Sequence, residues 1–157
     1  MADGLPVFHA SHGNIGASVA LTEAGLSTGR LAQRRQRGLG GELIDVAPAY
    51  LLVSPELETT AEKLLATITP ATSADASVFA GKLELVVDPR LTSATRWYLA
   101  ATPGQVPSLE FAYLEGAPGP QIETRAGFEI DGLQIKVRLD FGCGWIDHRG
   151  WWSSGHA

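Results

Sequence analysis

The stretch "YLLVSPELETTAEKLLATITP", residues 50–70, decides the fold class because its pattern changes from that of a strand to that of a helix. Its first four residues form a short apolar run, which is typical of a strand. Ser54 then suits the N-cap of a helix, and Pro55 suits its first turn. The apolar residues that follow share one helical face: Leu57, Ala61, Leu64, Leu65 and Ile68. A strand followed by a helix, which Pro70 ends, is therefore predicted.

A second helix is predicted upstream, between Thr22, a good N-cap residue, and Arg37, after which Gly38 favours a helix end. Gly25 and Gly29 lie inside this helix. Each weakens it by roughly 1 kcal/mol relative to alanine, but together they leave a flat face of small residues. We therefore expect another segment of backbone to approach this helix closely.

Downstream, residues 72–81 ("TSADASVFAG") have the composition of a loop, and the pattern then becomes that of strands. The predicted strands are residues 83–87, 97–100, 108–114, 121–125 and 128–130. Asp131-Gly132 favours a hairpin turn before Leu133–Phe141, the longest strand, in which apolar and polar residues alternate strictly. One side of this strand is expected to be buried. Helices and short strands together indicate an α+β fold.

The composition of the 157-residue chain limits the class of protein. With 45% hydrophobic and 18% charged residues, it is typical of one globular domain. A formal net charge of −5 argues against a domain whose main task is to grip nucleic acid. A single cysteine excludes an internal disulfide framework and suits a reducing compartment. We find no signal peptide and no apolar run of about 18 residues, so a soluble, cytoplasmic product without a membrane partner is expected.

The stretch "FGCGWIDHRGWW", residues 141–152, is a candidate catalytic site because the single cysteine lies close in sequence to a histidine, an aspartate and an arginine. A nucleophilic cysteine needs a histidine close in space. On an extended chain, however, Cys143 and His148 would be roughly 16 Å apart and on opposite faces. Only a sharp turn at Gly144 would bring them together. The favoured alternative is that Cys143 is a small residue near a strand end.

Three places in the sequence have features of a metal or phosphate site. His9 and His12 form an H-x-x-H pattern, but a solvated loop is favoured because neither a helical pattern nor an acidic third ligand accompanies them. The region of Cys143 likewise lacks a fourth metal ligand. The arginines of residues 30–37 could contact phosphate groups. Positive charge at a helix C-terminus also suits the helix dipole. The favoured interpretation is a charged helix end whose arginines satisfy backbone carbonyls or pair with acidic neighbours.

The remaining acidic and aromatic residues also form no recognisable site. Three glutamates lie in predicted strands and turns without a defined partner: Glu110, Glu115 and Glu123. Three tryptophans near the C-terminus are expected in a core or a subunit contact: Trp145, Trp151 and Trp152. We therefore predict no catalytic, cofactor-binding or metal-binding residue, no cofactor, and no enzymatic activity.

Several long stretches occur in a characteristic order. They are "ADGLPVFHASHGN", "LSTGRLAQRRQRG", "YLLVSPELETTAEKLL", "GKLELVVDPRL", "WYLAATP", "LEFAYLEGAPGPQIETRAGFEIDGLQIKVRLDFG" and "IDHRG". This set resembles the C-terminal part of the Mu-like major head subunit family, the major capsid proteins of tailed phages and prophages. The resemblance covers nearly the whole chain, and its motifs are long and ungapped.

The resemblance implies the Hong Kong ninety-seven type of capsid fold, an α+β fold with a mixed sheet and flanking helices. Residues 1–20 would be an extended lead-in. Residues 21–132 would form an axial-like domain with helices near 22–37 and 55–68. Residues 133–157 would form the long return strand and C-terminal tail of the peripheral domain. The N-terminal arm, extended hairpin loop and spine helix of that fold are expected to have no counterpart in this chain.

The resemblance also implies a structural role, namely assembly with copies of itself into the pentamers and hexamers of an icosahedral shell that encloses DNA. Loops 38–47 and 69–81 would face the capsomer centre, and residues 147–149 would form a turn or a polar contact between subunits. Scaffold, head protease or decoration proteins would be further partners, with at most weak, non-specific contact to packaged DNA. The protein would be made in the cytoplasm of the bacterial host and reside in the virion.

Two alternatives belong to other functional classes. One is a stand-alone, phage-derived module that binds another phage's shell, for example as a decoy. The other is a small cysteine hydrolase that uses Cys143 and His148. Co-purification with an intact head protein would support the first, and loss of function on replacing Cys143 with alanine would support the second.

Overall fold

The chain divides into two compact units in a computed structural model, which describes residues 1, 3–66, 79, 81–127 and 131–155. The first unit comprises residues 1–108 and 146–157, and the second comprises residues 109–145. The predicted axial segment and the predicted return segment, which meet at residue 132, therefore each contribute to both units. The axial and peripheral assignments remain predictions.

A four-stranded mixed sheet lies at the centre of the first unit. Its strands are β1 (Pro48–Val53), β2 (Glu84–Val87), β3 (Trp97–Ala101) and, near the C-terminus, β8 (Trp151–Ser153). The spatial order is β2-β1-β3-β8, with β2 parallel to β1 and the other neighbours antiparallel. The predicted α+β class with a mixed sheet is confirmed for this unit.

The strand-to-helix change that we predicted from residues 50–70 is present. After β1, a single 3₁₀ turn at Pro55–Leu57 leads into helix α2, Glu58–Leu65. Proline is tolerated here because the first helical residues have no intrahelical partner for their N–H groups. The predicted continuation of this helix to Ile68 lies outside the described residues, as does the predicted loop 72–81 except for Phe79 and Gly81.

The first predicted helix is α1, Glu23–Arg34, and it begins as its sequence indicates. The Thr22 hydroxyl accepts a hydrogen bond from the Gly25 N–H at 3.1 Å, which satisfies one of the free N–H groups of the first turn. The helix ends before the predicted Arg37 because the chain reverses direction there. The reversal is closed by the Ile44 N–H, which donates to the Gln36 carbonyl at 3.1 Å.

The core of the first unit lies between α1 and the sheet. Its largest members are all at most 2% exposed: Trp97, Trp152, Phe79, Leu26, Leu51 and Leu99. Each buried side chain of this size stabilises the fold by about 1.5–3 kcal/mol relative to an exposed one. The indole rings of the two tryptophans pack at 5.1 Å between centroids. The expectation that C-terminal tryptophans lie in a core is therefore confirmed for Trp152.

Gly29 explains how α1 reaches the sheet so closely. A Cβ atom at this position would lie 2.7 Å from the Leu99 Cδ1 atom and 2.9 Å from the Trp152 Cε3 atom. Those distances are well inside the 3.5–4.0 Å at which carbon atoms pack. A Cβ atom on Gly25 would overlap the Ala20 carbonyl oxygen. A close approach along the glycine face of this helix is therefore present, but backbone makes it only at Gly25; at Gly29 the neighbours are side chains of the sheet.

The second unit, which we call the ribbon, consists of two consecutive two-stranded antiparallel sheets. Strand β4 (Leu109–Tyr113) pairs with β7 (Phe141–Trp145), and β5 (Gln121–Ala126) pairs with β6 (Leu133–Arg138). The two sheets are connected by the Leu114 N–H, which donates to the Asp140 carbonyl at 3.4 Å. The predicted strand 128–130 lies outside the described residues.

One expectation about this part of the chain is wrong. The predicted strand Leu133–Phe141 is interrupted at residues 139–140, and every residue of β6 is exposed. The alternation correctly indicated one apolar face, but no other element of the ribbon's described residues covers it. The hairpin predicted at Asp131-Gly132 is confirmed, because β5 and β6 pair on either side of it, with Ala126 opposite Leu133.

Candidate functional site

The cysteine and the histidine of the candidate catalytic pair lie in different units. Cys143 is an exposed residue of β7, directly opposite Phe111 of β4. His148 belongs to the first unit, where its ring stacks on that of His12 with 3.8 Å between centroids and 10° between planes. The Asp147 carboxylate accepts hydrogen bonds from the backbone N–H and the guanidinium of Arg149, both at 2.8 Å. That carboxylate therefore stabilises a turn and does not orient a catalytic imidazole.

The segment around His9 and His12 is not the solvated loop that we expected. Ala10–His12 form a 3₁₀ turn, and the His12 side chain is buried. The carboxylate of Asp3, nine residues earlier in the chain, lies 2.7 Å from the His12 Nε2 atom. The segment turns back on itself because the Asn14 amide donates to the Val7 carbonyl at 2.8 Å. Among the described residues, no three histidine, cysteine or acidic side chains are placed to hold a metal ion.

The charges on His12 and His148 are coupled through their contact. Burial lowers the pKa of His12, but the Val7 carbonyl and the Asp3 carboxylate outweigh burial, so the pKa lies above its ordinary value. Burial also lowers the pKa of His148, and repulsion from His12 lowers it further. The pair therefore favours one charged ring and one neutral ring.

A cleft of about 440 Å³ lies beside loop 38–47 in the first unit. It is lined by Leu39, Ile44, Val46, Val106 and Pro107 together with charged groups that include Glu42, Asp45 and Arg149. Asp45 already forms an ion pair with Arg34 at 2.7 Å. The Arg37 guanidinium donates to the Gly41 carbonyl at 2.6 Å. These arginines therefore stabilise the loop that follows the helix, as our favoured interpretation of residues 30–37 required.

Each of the two ribbon sheets has one apolar face. Side chains that are directly opposite in an antiparallel pair point to the same side. In the sheet of β4 and β7, the pairs on one side are Leu109 with Trp145, Phe111 with Cys143, and Tyr113 with Phe141. In the sheet of β5 and β6, the pairs are Ile122 with Val137, Thr124 with Ile135, and Ala126 with Leu133. These twelve positions are the apolar faces of the ribbon.

The opposite sides of the ribbon sheets are polar or small. Glu123 lies opposite Lys136, and their charged groups are 2.7 Å apart. In contrast, Phe111 is 66% exposed and Ile122 is 67% exposed on the apolar faces. Soluble monomers rarely leave a contiguous apolar surface of this kind uncovered, and such a surface marks a site of interaction. The ribbon is therefore the best candidate functional surface, and the pattern of reactive residues in the sequence did not indicate it.

Comparison with known proteins agrees with a surface used for association. A protein family described as phage capsid protein matches residues 1–154. The chain belongs to the phage capsid protein family. No match was found among curated proteins or among solved structures.

Membership of a phage capsid family indicates a structural protein, which agrees with our prediction of no enzymatic activity. It also implies a place in the virion and association with further copies of the same capsid protein. Within the described residues, no helix combines the length and the apolar character that crossing a membrane requires.

Proposed function

We propose that this chain is a Mu-like major capsid subunit which assembles with copies of itself into the pentamers and hexamers of an icosahedral phage head that encloses DNA. The observation that carries the proposal is the pair of apolar faces on the ribbon, on which all twelve positions except the half-buried Trp145 are exposed. Membership of the phage capsid family supports the structural role. The resemblance to the Mu-like head subunits supports the finer assignment.

The ribbon needs a partner for physical reasons. A two-stranded antiparallel ribbon is at best marginally stable alone in water, and it becomes stable when one face packs against another surface. Each of its large apolar side chains, once buried by a neighbouring subunit, would contribute about 1.5–3 kcal/mol. Micromolar association corresponds to about 8 kcal/mol, and the entropic cost of bringing two molecules together adds at least about 4 kcal/mol. Four or more such contacts are therefore needed, and the twelve positions of the apolar faces can provide them.

The ribbon is also our candidate for the extended hairpin of the Hong Kong ninety-seven type of fold. An apolar ribbon that packs on a different surface of the next subunit makes a head-to-tail contact. Head-to-tail contacts close into rings when the rotation between subunits permits it, and capsomers are such rings. Association of two ribbons face to face would instead produce a closed dimer.

The test is the assembly state of the full chain and of two variants that differ at neighbouring positions. Ile135→Glu places a negative charge on an apolar face, and Gln134→Glu places the same charge on the opposite, polar side of β6. We expect oligomers in mass photometry for the unmodified chain and for Gln134→Glu. For Ile135→Glu we expect at least a tenfold weaker association, because a charge would have to be buried.

Circular dichroism in the near ultraviolet, which reports on the buried tryptophans of the first unit, is the folding control. A strictly monomeric unmodified chain at the highest attainable concentration would contradict the proposal. Equal assembly by both variants would show that the apolar faces are not the contact. A monomer that binds an intact head protein would favour the decoy alternative.

A further inference from the structure

The buried His12 ring is held between two hydrogen-bond acceptors. Its Nδ1 atom lies 3.0 Å from the Val7 carbonyl oxygen, and its Nε2 atom lies 2.7 Å from the Asp3 Oδ2 atom. A neutral imidazole has a single N–H and can donate to only one of these oxygens. The imidazolium form donates to both. The geometry therefore fits a positively charged His12, whose charge the Asp3 carboxylate compensates.

His148, which stacks on this ring, has no comparable compensation for a positive charge. His148 presents its face to the His12 ring at 3.8 Å between centroids. The other charged groups around it are Asp147, Arg149 and Asp3. Asp147 and Asp3 favour a charged His148, but burial and repulsion from His12 outweigh them, so the pKa of His148 lies below its ordinary value. A proton on His148 would place two like charges in contact, which costs about 1 kcal/mol even in a water-like dielectric.

The charged groups that face His12 come from several parts of the first unit. They are Asp3, the N-terminal amino group and the ring of His148. The His9 ring lies edge-on to the His12 ring at 5.9 Å between centroids. Only Asp3 carries a negative charge among these groups. One added proton on the histidine pair therefore gives a single positive charge, which the Asp3 carboxylate neutralises.

The histidine pair connects two distant parts of the sequence. The Asn14 amide donates to the Val7 carbonyl and, at 3.4 Å, to the His148 carbonyl. The Gln36 amide donates to the His12 carbonyl at 2.9 Å. Residues beyond Asn14 are held separately, because the Gly16 N–H donates to the Ser153 carbonyl at 2.7 Å. The Phe8 ring also packs on the Tyr98 ring, with 5.4 Å between centroids. Breaking the stack would therefore loosen residues 3–13 and leave the edge of the sheet covered.

We propose that Asp3, His12 and His148 form a pH-sensitive clasp, which holds residues 3–13 most tightly against the rest of the first unit while the two histidines share a single added proton. Acidification protonates His148 and opens the clasp by repulsion. At higher pH, loss of the proton from His12 leaves one acceptor without a donor and also weakens the clasp. The clasp is independent of the ribbon and would operate in the monomer.

The two histidines respond to pH in opposite directions because their pKa values are shifted in opposite directions. The pKa of His12 is raised by its acceptors in the folded chain, so its contribution is complete below the unfolded pKa of about 6.5 and is lost as the pH rises through the folded pKa. The pKa of His148 is lowered by burial and by His12, so its contribution is complete above about 6.5 and is lost as the pH falls through the folded pKa. Attachment of the segment is therefore greatest between these two transitions.

The test is amide hydrogen exchange of the full chain as a function of pH, corrected for the intrinsic pH dependence of exchange. The reporters are the N–H groups of His9 and His12, which are hydrogen bonded within the segment. We expect their protection to fall at least about fivefold between pH 7 and about pH 5, as a like-charge contact predicts. The N–H of Leu99 in the central strand is the internal control and is expected to change far less.

Three variants assign the effect to the clasp. His148→Phe keeps a stacked ring that cannot be charged, and it should abolish the loss of protection on the acidic side. His9→Asn is the matched control, because asparagine can also cap the 3₁₀ turn, and it should leave the pH profile unchanged. Asp3→Asn should reduce protection at pH 7. Ring-nitrogen NMR of the unmodified chain should show His12 protonated on both nitrogens at neutral pH and His148 on one.

Two results would overturn the proposal. One is a flat protection profile for His9 and His12 between pH 5 and pH 7. The other is a profile for His148→Phe that matches the unmodified chain, since the acid response would then arise elsewhere. If His148→Phe fails to fold, a neutral His12 or a charged His148 in the ring-nitrogen spectrum at neutral pH would contradict the clasp on its own.

Discussion

Replacing Gly29 with alanine has two opposing effects on the free energy of unfolding. Alanine is favoured over glycine within a helix by about 1 kcal/mol, so at an open position the change stabilises. At Gly29 the new Cβ atom would lie 2.7 Å from the Leu99 Cδ1 atom and 2.9 Å from the Trp152 Cε3 atom. Overpacking of this kind costs about 1–3 kcal/mol. We expect a net loss of about 1 kcal/mol in the free energy of unfolding.

The propensity effect can be measured in the same helix. Ser27 is exposed, so the difference between Ser27→Ala and Ser27→Gly gives the preference for alanine without a packing term. Urea unfolding followed by tryptophan fluorescence provides the free energies, provided that the slopes agree. The close packing of this helix on the sheet is refuted if Gly29→Ala stabilises the chain by the full propensity effect. That effect is the difference in stability between Ser27→Ala and Ser27→Gly.

Three further predictions concern the core, an ion pair and the cysteine. Trp152→Ala should lower the free energy of unfolding by about 3–5 kcal/mol in the same urea assay, because a fully buried aromatic ring is removed. Hydrogen bonds from Arg90 lower the pKa of Asp88 to about 2, so an NMR titration should place this carboxyl near that value, and Arg90→Ala should move it upwards. The Asp88 charge favours the folded state above its unfolded pKa, and this contribution is lost as the pH falls through about 2. Cys143→Ala should leave the near-ultraviolet spectrum unchanged, and also the assembly state, because alanine keeps a small apolar side chain at this position of the apolar face. Loss of a hydrolytic activity would support the hydrolase alternative instead.

Local patterns predicted the elements of the first unit well. Thr22 is the N-cap of α1, and the change from apolar run to helical periodicity after Ser54 is the passage from β1 to α2. These features depend on hydrogen bonds and side chains within a few residues, so the sequence contains them directly. The end of α1 was predicted less well, because it depends on the reversal between Gln36 and Ile44, a contact between residues that are not adjacent.

Burial could not be predicted from pattern in the ribbon. The alternation of Leu133–Phe141 indicates an amphipathic strand whether its apolar side meets a core in the same chain or a surface of another molecule. Its exposure in the monomer was decided by the pairing of β6 with β5 and by the absence of a covering element within the described residues of the ribbon. The same limit applies to the histidines, because Asp3, His12 and His148 are brought together only by the folded first unit.

The sequence by itself determined the α+β class, the strand-helix unit at residues 50–70 and the small-residue face of the first helix, because each follows from propensity and periodicity over short distances. Its long motifs were also sufficient to indicate a capsid protein. Tertiary structure alone decided which alternating strands are exposed and that His148 meets His12, not Cys143. Those outcomes depend on contacts between residues far apart in the chain, and local sequence preferences do not specify such contacts.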